Sequence, residues 1–224
     1  MRPLIAFDLD GTLIDSKRDL ADSANEMLAA YGARPLAEAD VASMVGDGAR
    51  QLVARALAAA GLTADVSEAL DRFLDIYSTR LFVHTRPYPG LVDTVVSIAG
   101  TASVALLTNK PEGLSRRLLD RFGLSASFEW VIGGDSGFPR KPDPAALVHL
   151  IRRAGVDPHR CLMVGDSMVD VETARGAGAA VCVALYGFGH LRQPIVLDGT
   201  ELVAHRPQDI GGLLTGFIAT ATPT

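Results

Sequence analysis

Asp8-Leu9-Asp10-Gly11-Thr12 sets two carboxylates two residues apart, where the apolar run Leu4-Ile5-Ala6-Phe7 ends and a glycine lets the backbone turn. Such a pair suits phosphoryl transfer: one carboxylate attacks phosphorus while its neighbour gives a proton to the departing oxygen and later takes one from water. Further along, Thr108-Asn109 offers a hydroxyl and backbone amides to phosphate oxygens, directly after the apolar run Val104-Ala105-Leu106-Leu107. Lys141, in Arg140-Lys141-Pro142-Asp143-Pro144, sits on a loop that prolines stiffen, so one ammonium can be held over a site. Gly165-Asp166-Ser167-Met168-Val169-Asp170 places two acids four apart, and a turn opening into a helix directs both toward one point. Each element alone has a plain structural explanation: an acidic turn, a helix cap or a solvated lysine.

Charge explains why these groups belong together. A carboxylate approaching a phosphate dianion meets repulsion of about 4 kcal/mol per unit-charge pair at about 4 Å, for an effective dielectric of about 20. A divalent cation and Lys141 offset that repulsion and stabilise charge on the transferring group. Oxygen ligands from Asp8 and Asp166, a backbone carbonyl and waters make the hard octahedral setting that Mg²⁺ prefers, and no Cys/His cluster suggests zinc.

The positioning elements are legible from periodicity. Leu4-Ile5-Ala6-Phe7 reads as a buried parallel strand. Residues 16–85 then read as helical, with Leu20, Ala24, Met27 and Leu28, with Leu52, Ala56 and Leu57, and with Leu70, Phe73, Leu74 and Tyr77 at three- and four-residue spacings. Pro87-Tyr88-Pro89-Gly90 ends that pattern, and a hinge is expected there and at residues 13–16. Beyond it strands are expected at 104–107, 130–132, 161–164 and 180–185, alternating with helices at 112–122, 144–154, 169–176 and 204–217. The expected architecture is α/β: a doubly wound, mostly parallel Rossmann-like core of residues 1–15 and 86–224, with an all-helical cap, 16–85, inserted after the first strand. Ligands bind such sheets at the carboxyl ends of their strands.

With 224 residues, the chain is long enough to bury a sizeable core, and 48% apolar and 21% charged residues are ordinary for a globular protein. A net charge of -5 weighs against nucleic acid or an anionic membrane as partner, so a small phosphorylated metabolite is expected. The first residues leave no room for a signal peptide and no apolar run reaches membrane-spanning length, so a cytoplasmic enzyme, monomer or homodimer, is expected. Cys161 and Cys182 lie in apolar strand-like runs and read as reduced core thiols.

Taken together, the four motifs resemble those of the haloacid dehalogenase-like hydrolase superfamily, in order and spacing over nearly the whole chain. The resemblance implies Asp8 as nucleophile, Asp10 as acid/base, and Thr108 and Lys141 as phosphate contacts. It further implies a Mg²⁺ site drawing on Asp8, Asp10 and Asp166, and Asp170 as a supporting acid that orients Lys141 or contacts the metal's waters. Within the superfamily, Asp15-Ser16, Val45-Gly46-Asp47-Gly48, Thr108-Asn109-Lys110-Pro111, Ile132-Gly133-Gly134-Asp135 and Tyr186-Gly187 look most like the phosphoglycolate phosphatases. Gly11 and Asn109 are then expected to line the substrate site, with Lys17 or Arg18 and Arg50 as candidates for the substrate carboxylate, although Arg50 departs from the family pattern. Sugar-phosphate, nucleotide and pyrophosphate hydrolases share several of these signals, and a β-phosphoglucomutase-like isomerase keeps both acids and the metal. Asp10 argues against the namesake dehalogenases, whose leaving halide needs no proton, and the complete motif set argues against an inactive binding module.

Overall fold

Leu4–Phe7 forms strand β1, whose four side chains are fully buried because the strand is central and covered on both faces. The computed structural model describes residues 2–221; residues 1 and 222–224, assigned above to the core, lie outside the described residues. After β1 come a two-residue strand β2 (Ile14–Asp15), helices α1 (Lys17–Ala29), α2 (Glu38–Ala42), α3 (Ala49–Ala59) and α4 (Val66–Arg80), and another short strand, β3 (Arg86–Pro87). The chain then alternates through α5 (Leu91–Ile98), β4 (Ser103–Leu107), α6 (Glu112–Arg121), β5 (Trp130–Ile132), α7 (Ala145–Ala154), β6 (Cys161–Gly165), α8 (Met168–Ala177), β7 (Ala180–Ala184), β8 (Leu202–Ala204) and α9 (Asp209–Ala221).

The main sheet runs β5-β4-β1-β6-β7-β8 with every pair parallel. Phe7 lies level with Leu106 of β4 and Val164 of β6, so these strands end together and bring residues 8, 108 and 166 to one edge. Alternation along β1 divides the core. Ile5 and Phe7 join the apolar cluster that includes α5, α9 and the helical insert, whereas Leu4 and Ala6 pack with α7 and α8 on the other face. This is the expected doubly wound, Rossmann-like fold with a helical insertion after its first strand. Truncating a fully buried side chain such as Phe7 to Ala costs about 3–5 kcal/mol in such a core.

Three features differ from the sequence expectation. The two hinge segments pair with each other: Ile14 lies opposite Pro87 and Asp15 opposite Arg86, as an antiparallel ribbon. Two-residue strands carry no readable period, and proline is tolerated because an isolated ribbon leaves its missing N–H facing no partner. β8 occupies the start of the stretch read as a helix at 204–217; Pro207 delays the helix to Asp209, and Leu202–Ala204 extends the sheet instead. Helix α5 was not expected at all: Gly90, in the left-handed conformation, ends the proline-rich turn and lets Leu91 begin a helix.

The insert is closed at its base by Asp19, whose buried carboxylate accepts from His84 N, Thr85 N and Thr85 Oγ1 at 2.7 to 3.0 Å. Its last long helix, α4, starts where Asp65 accepts from the backbone N–H groups of Ser67 and Glu68, a cap worth about 1 kcal/mol. Phe73 and Tyr77, one helical turn apart on α4, stack at 5.7 Å and face the core domain's strand tips. No helix among the described residues is long and apolar enough to cross a membrane.

Candidate active site

Hydrogen bonding of Asp8 N to Val164 O at 2.8 Å carries the β1–β6 ladder one step past the strand and fixes where the Asp8 side chain leaves the sheet. Its Oδ1 lies 2.9 Å from Lys141 Nζ, and the same ammonium donates to Asp170 Oδ1 at 2.6 Å. Asp170 holds its other oxygen toward Ser167, accepting from Oγ at 2.7 Å and from the backbone N at 3.2 Å. The second acid of Gly165-Asp166-Ser167-Met168-Val169-Asp170 therefore orients Lys141 and braces the start of α8.

Asp166 leaves the tip of β6 and accepts from Phe188 N and Gly189 N at 2.9 and 2.8 Å through Oδ2. Two glycines give it room. Gly11 has φ +83°, and a Cβ there would fall 1.9 Å from Asp166 Oδ2, while a Cβ on Gly187 would fall 2.3 Å from Gly11 O and 2.4 Å from Asp166 Cβ. Gly11 thus contributes clearance for Asp166.

Asp8, Asp166 and Asp170 bring carboxylate oxygens within 4.8 Å of one another. Against them stands one ammonium, that of Lys141, so two negative charges are in excess in a site almost sealed from water. The protonation pattern follows. Burial, opposed by Lys141 and reinforced by Asp170, raises Asp8 from 3.8 to about 6. Burial, then the charges of Asp170 and Asp8, raise Asp166 well above the usual carboxylate range against the pull of the Gly189 and Phe188 amides. Burial works against the Lys141 ammonium, but Asp170 and Asp8 outweigh it and raise its proton affinity. An all-oxygen donor set with excess negative charge fits a hard divalent cation.

Asp10 sits outside that group. Its carboxylate accepts from Lys110 Nζ at 3.0 and 2.9 Å and from Ser16 Oγ at 2.6 Å, and it is not one of the three acids whose oxygens lie within 4.8 Å of one another, although it lines the same cleft as Asp8 and Asp166. Lys110 also donates to Tyr77 OH at 2.6 Å. Burial disfavours the Lys110 charge, yet Asp10 and Tyr77 outweigh that and raise its proton affinity. Burial, opposed by the Lys110 charge, pushes the Tyr77 hydroxyl up to about 12.

Thr108 directly follows β4, with its N bonded to Ile132 O at 3.0 Å, and lines the same cleft as Asp8, Asp10 and Asp166. The Asn109 side chain is committed elsewhere: Nδ2 donates to Gly46 O and Lys141 O, and Oδ1 accepts from Lys141 N, which ties the Lys141 loop to the insert. Lys17 and Arg50 do not line the cleft themselves, although the Lys17 ammonium lies 5.7 Å from the ring centroid of Phe188, which does. Lys17 pairs with Asp15 at 3.2 Å, and Arg50 donates to Ser67 Oγ at 3.1 Å on the exposed side of the insert. Arg50 is a candidate because it stands beside the glycine turn and Lys17 because it stands near the hinge, and nearness along the chain does not tell which way a side chain looks. Lys110 and Tyr77 were missed as functional residues. Lys110 stood in a quoted motif without a role, and Tyr77 read as one member of an apolar stripe.

The cleft has a volume of about 650 Å³ including its open mouth. Its floor is polar and its roof, from Leu20, Val45, Leu52, Phe73 and Leu74, is apolar. Cys161 and Cys182 are buried in β6 and β7, away from it, and burial pushes both thiols up.

This fold and these four strand-tip motifs define a hydrolase family. The model of the haloacid dehalogenase-like hydrolase family matches residues 3–178, and the chain belongs to that family. It is 42% identical over 210 residues to the phosphoglycolate phosphatase of Mesorhizobium japonicum, covering 91% of each chain. It is 41% identical over 213 residues to phosphoglycolate phosphatase 1 of Pseudomonas aeruginosa, covering 92% of this chain and 78% of that one. Among solved structures, it superposes on a predicted phosphoglycolate phosphatase from Haemophilus somnus with a TM-score of 0.89 at 32% identity, over 95% of this chain and 98% of that one.

Proposed function

We propose that the protein is a Mg²⁺-dependent phosphatase that hydrolyses 2-phosphoglycolate through an aspartyl-phosphate on Asp8. It is a phosphoric monoester hydrolase by family and by its relatives. The observation that carries the finer reading is the convergence of Asp8, Lys141 and Asp166 within one buried network, beside Asp10 and Thr108 in the same cleft.

Asp8 attacks phosphorus with a carboxylate oxygen; the P–O bond to the substrate's carbon-borne oxygen breaks, and Asp10 donates a proton to that oxygen as it leaves. Water then attacks the phosphorus of the aspartyl-phosphate, gives its proton to Asp10, and Asp8 leaves as a carboxylate. Lys141 and Thr108 hold the non-bridging oxygens through both steps, with Lys141 kept in place by Asp170. A divalent ion held by Asp8 and Asp166, with Asp170 beside them, would neutralise the excess charge and hold the phosphate against Asp8. Asp8 must be ionised to attack, and the cation favours that form.

Residues 16–85 act as a cap that opens to admit substrate and closes to exclude bulk water, with the β2–β3 ribbon as the flexing base. The near-complete burial of the Lys141 ammonium supports this, because substrate needs a wider passage to reach it. The mostly apolar roof supports a small substrate over a sugar phosphate, whose hydroxyls would need polar partners there.

The test is phosphate release from 2-phosphoglycolate, sugar phosphates, nucleoside monophosphates and pyrophosphate, with and without Mg²⁺, alongside glucose-1-phosphate isomerisation. The expected outcome is metal-dependent hydrolysis with the highest kcat/KM on 2-phosphoglycolate, and a loss of at least about 10³-fold in Asp8→Asn. Isomerisation faster than hydrolysis contradicts the reading.

A further inference from the structure

A substrate with a phosphate at one end and a carboxylate at the other needs two cationic contacts, and the floor around Asp8 supplies only the first. Among the described residues that line the cleft, Lys110 is the only one with a positive charge. Lys141 reaches the floor from behind, with two of its three protons given to Asp8 and Asp170 and the third left for the phosphate. The three candidates named from the sequence have other partners: Lys17 with Asp15, Arg18 with Asp22 and Arg50 with Ser67.

Lys110 is built in rather than merely nearby. It follows the Asn109 cross-link at the tip of β4, its side chain is 4% exposed, and its Nζ lies 4.5 Å above the Tyr77 ring as well as 2.6 Å from the Tyr77 hydroxyl. Tyr77 accepts in that bond, so its own hydroxyl proton remains to be given to a ligand. An ammonium and a phenol at hydrogen-bond distance from each other form a donor pair that the two oxygens of one carboxylate can share. Without substrate, the Asp10 carboxylate takes the ammonium side of that pair.

We infer that Lys110, with Tyr77 from the insert, is the specificity-determining pair that reads the carboxylate of the substrate, an inference that rests on the phosphoglycolate reading above. The substrate carboxylate replaces Asp10 as the partner of Lys110, and Asp10 is released to serve the leaving oxygen. Because Lys110 stands on the core and Tyr77 on α4 of the insert, a carboxylate held by both also draws the two parts together. A substrate lacking the carboxylate leaves Lys110 on Asp10 and gains neither effect. The surrounding wall of Val45, Leu52, Phe73, Leu74 and Leu114 offers a longer or hydroxylated tail no polar partner.

The experiment compares 2-phosphoglycolate with 2-hydroxyethyl phosphate, which replaces the carboxylate by a neutral alcohol of similar length, in the full-length enzyme and in Lys110→Met. The quantity read is the ratio of the two kcat/KM values, because damage to the shared fold and to the phosphate-binding floor lowers both substrates together and cancels. The wild type is expected to prefer 2-phosphoglycolate, and Lys110→Met to lower the ratio about 10- to 100-fold, chiefly through KM for 2-phosphoglycolate. Tyr77→Phe keeps the ring and lowers the ratio about 3- to 10-fold, and it carries the test should Lys110→Met not fold. A wild type without preference overturns the phosphoglycolate reading itself. A wild type that keeps its preference through Lys110→Met, or through Tyr77→Phe where that variant alone folds, overturns the assignment of the pair while leaving that reading standing.

Discussion

The floor and the roof of the cleft are built on opposite plans. On the floor each charged group is held by other core residues: Asp8 by Lys141, Lys141 by Asp170, Asp170 by Ser167, and Asp166 by the Phe188 and Gly189 amides. The roof is mostly apolar and meets the core through a few polar links, from Asn109 to Gly46, from Lys110 to Tyr77, and from Arg192 to Asp47, which Arg55 also clamps. Pre-set charge at fixed distances is what phosphoryl transfer demands, and a rigid parallel sheet edge supplies it. A roof that opens and closes as proposed is better served by apolar contact with few directional bonds. The contrast separates the step that is fixed from the step that selects.

Removing charge from the floor is the most damaging way to probe this division. Lys141→Met leaves Asp8, Asp166 and Asp170 without their ammonium, and kcat should fall at least about 10³-fold with a smaller change in KM. Equal damage from an apolar roof change such as Leu74→Ala would erase the contrast.

A subtler test crowds the floor without altering charge. Gly11→Ala drives a methyl group into Asp166 Oδ2 from a backbone at φ +83°. Metal affinity, read by calorimetry, should fall about 10- to 100-fold, since a misdirected ligand acts like a lost supporting contact. Unchanged affinity would show that Asp166 can move aside.

How much of this could be read from the sequence depends on how local each cause is. Buried parallel strands announce themselves as apolar runs, so Asp8, Thr108 and Asp166 could be placed at strand tips before any fold was in hand. The partnership of Lys141 with Asp170 was one of the two roles that the family resemblance implied for Asp170. That of Asp10 with Lys110 and Tyr77 was not implied, since residues 10, 77 and 110 meet only once the insert folds back over β4. The β2–β3 ribbon and β8 were invisible for a different reason: strands of two or three residues are too short to show a period.

Protonation offers the next test. Asp8, raised from 3.8 to about 6, and Asp166, raised as well, make the metal-free fold hold protons that the unfolded chain has released. The Asp8 contribution to metal-free stability is therefore lost as pH rises from about 4 through about 6, where the folded state must give up a proton it favours, and the Asp166 contribution is lost in the same direction. A cation needs the deprotonated groups, so Mg²⁺ should raise Tm more at about pH 8 than at about pH 5. An equal rise at both would place the ion elsewhere.

The smallest effect belongs to the roof. Asp47→Asn weakens the clamp with Arg55 and Arg192, which is partly exposed, so stability should change by about 1 kcal/mol or less. KM should rise a few-fold with kcat nearly constant. A large fall in kcat would mean that the clamp shapes the floor as well.

The central claim is that Asp8 becomes covalently phosphorylated within this fixed floor. Asp10→Asn, given an aryl phosphate whose leaving group needs no proton, should accumulate that intermediate, because the base for the second step is gone. Acid quenching and peptide mapping should then find phosphate on Asp8. Label on another residue, or none while phosphate is released at the wild-type rate, would contradict the account.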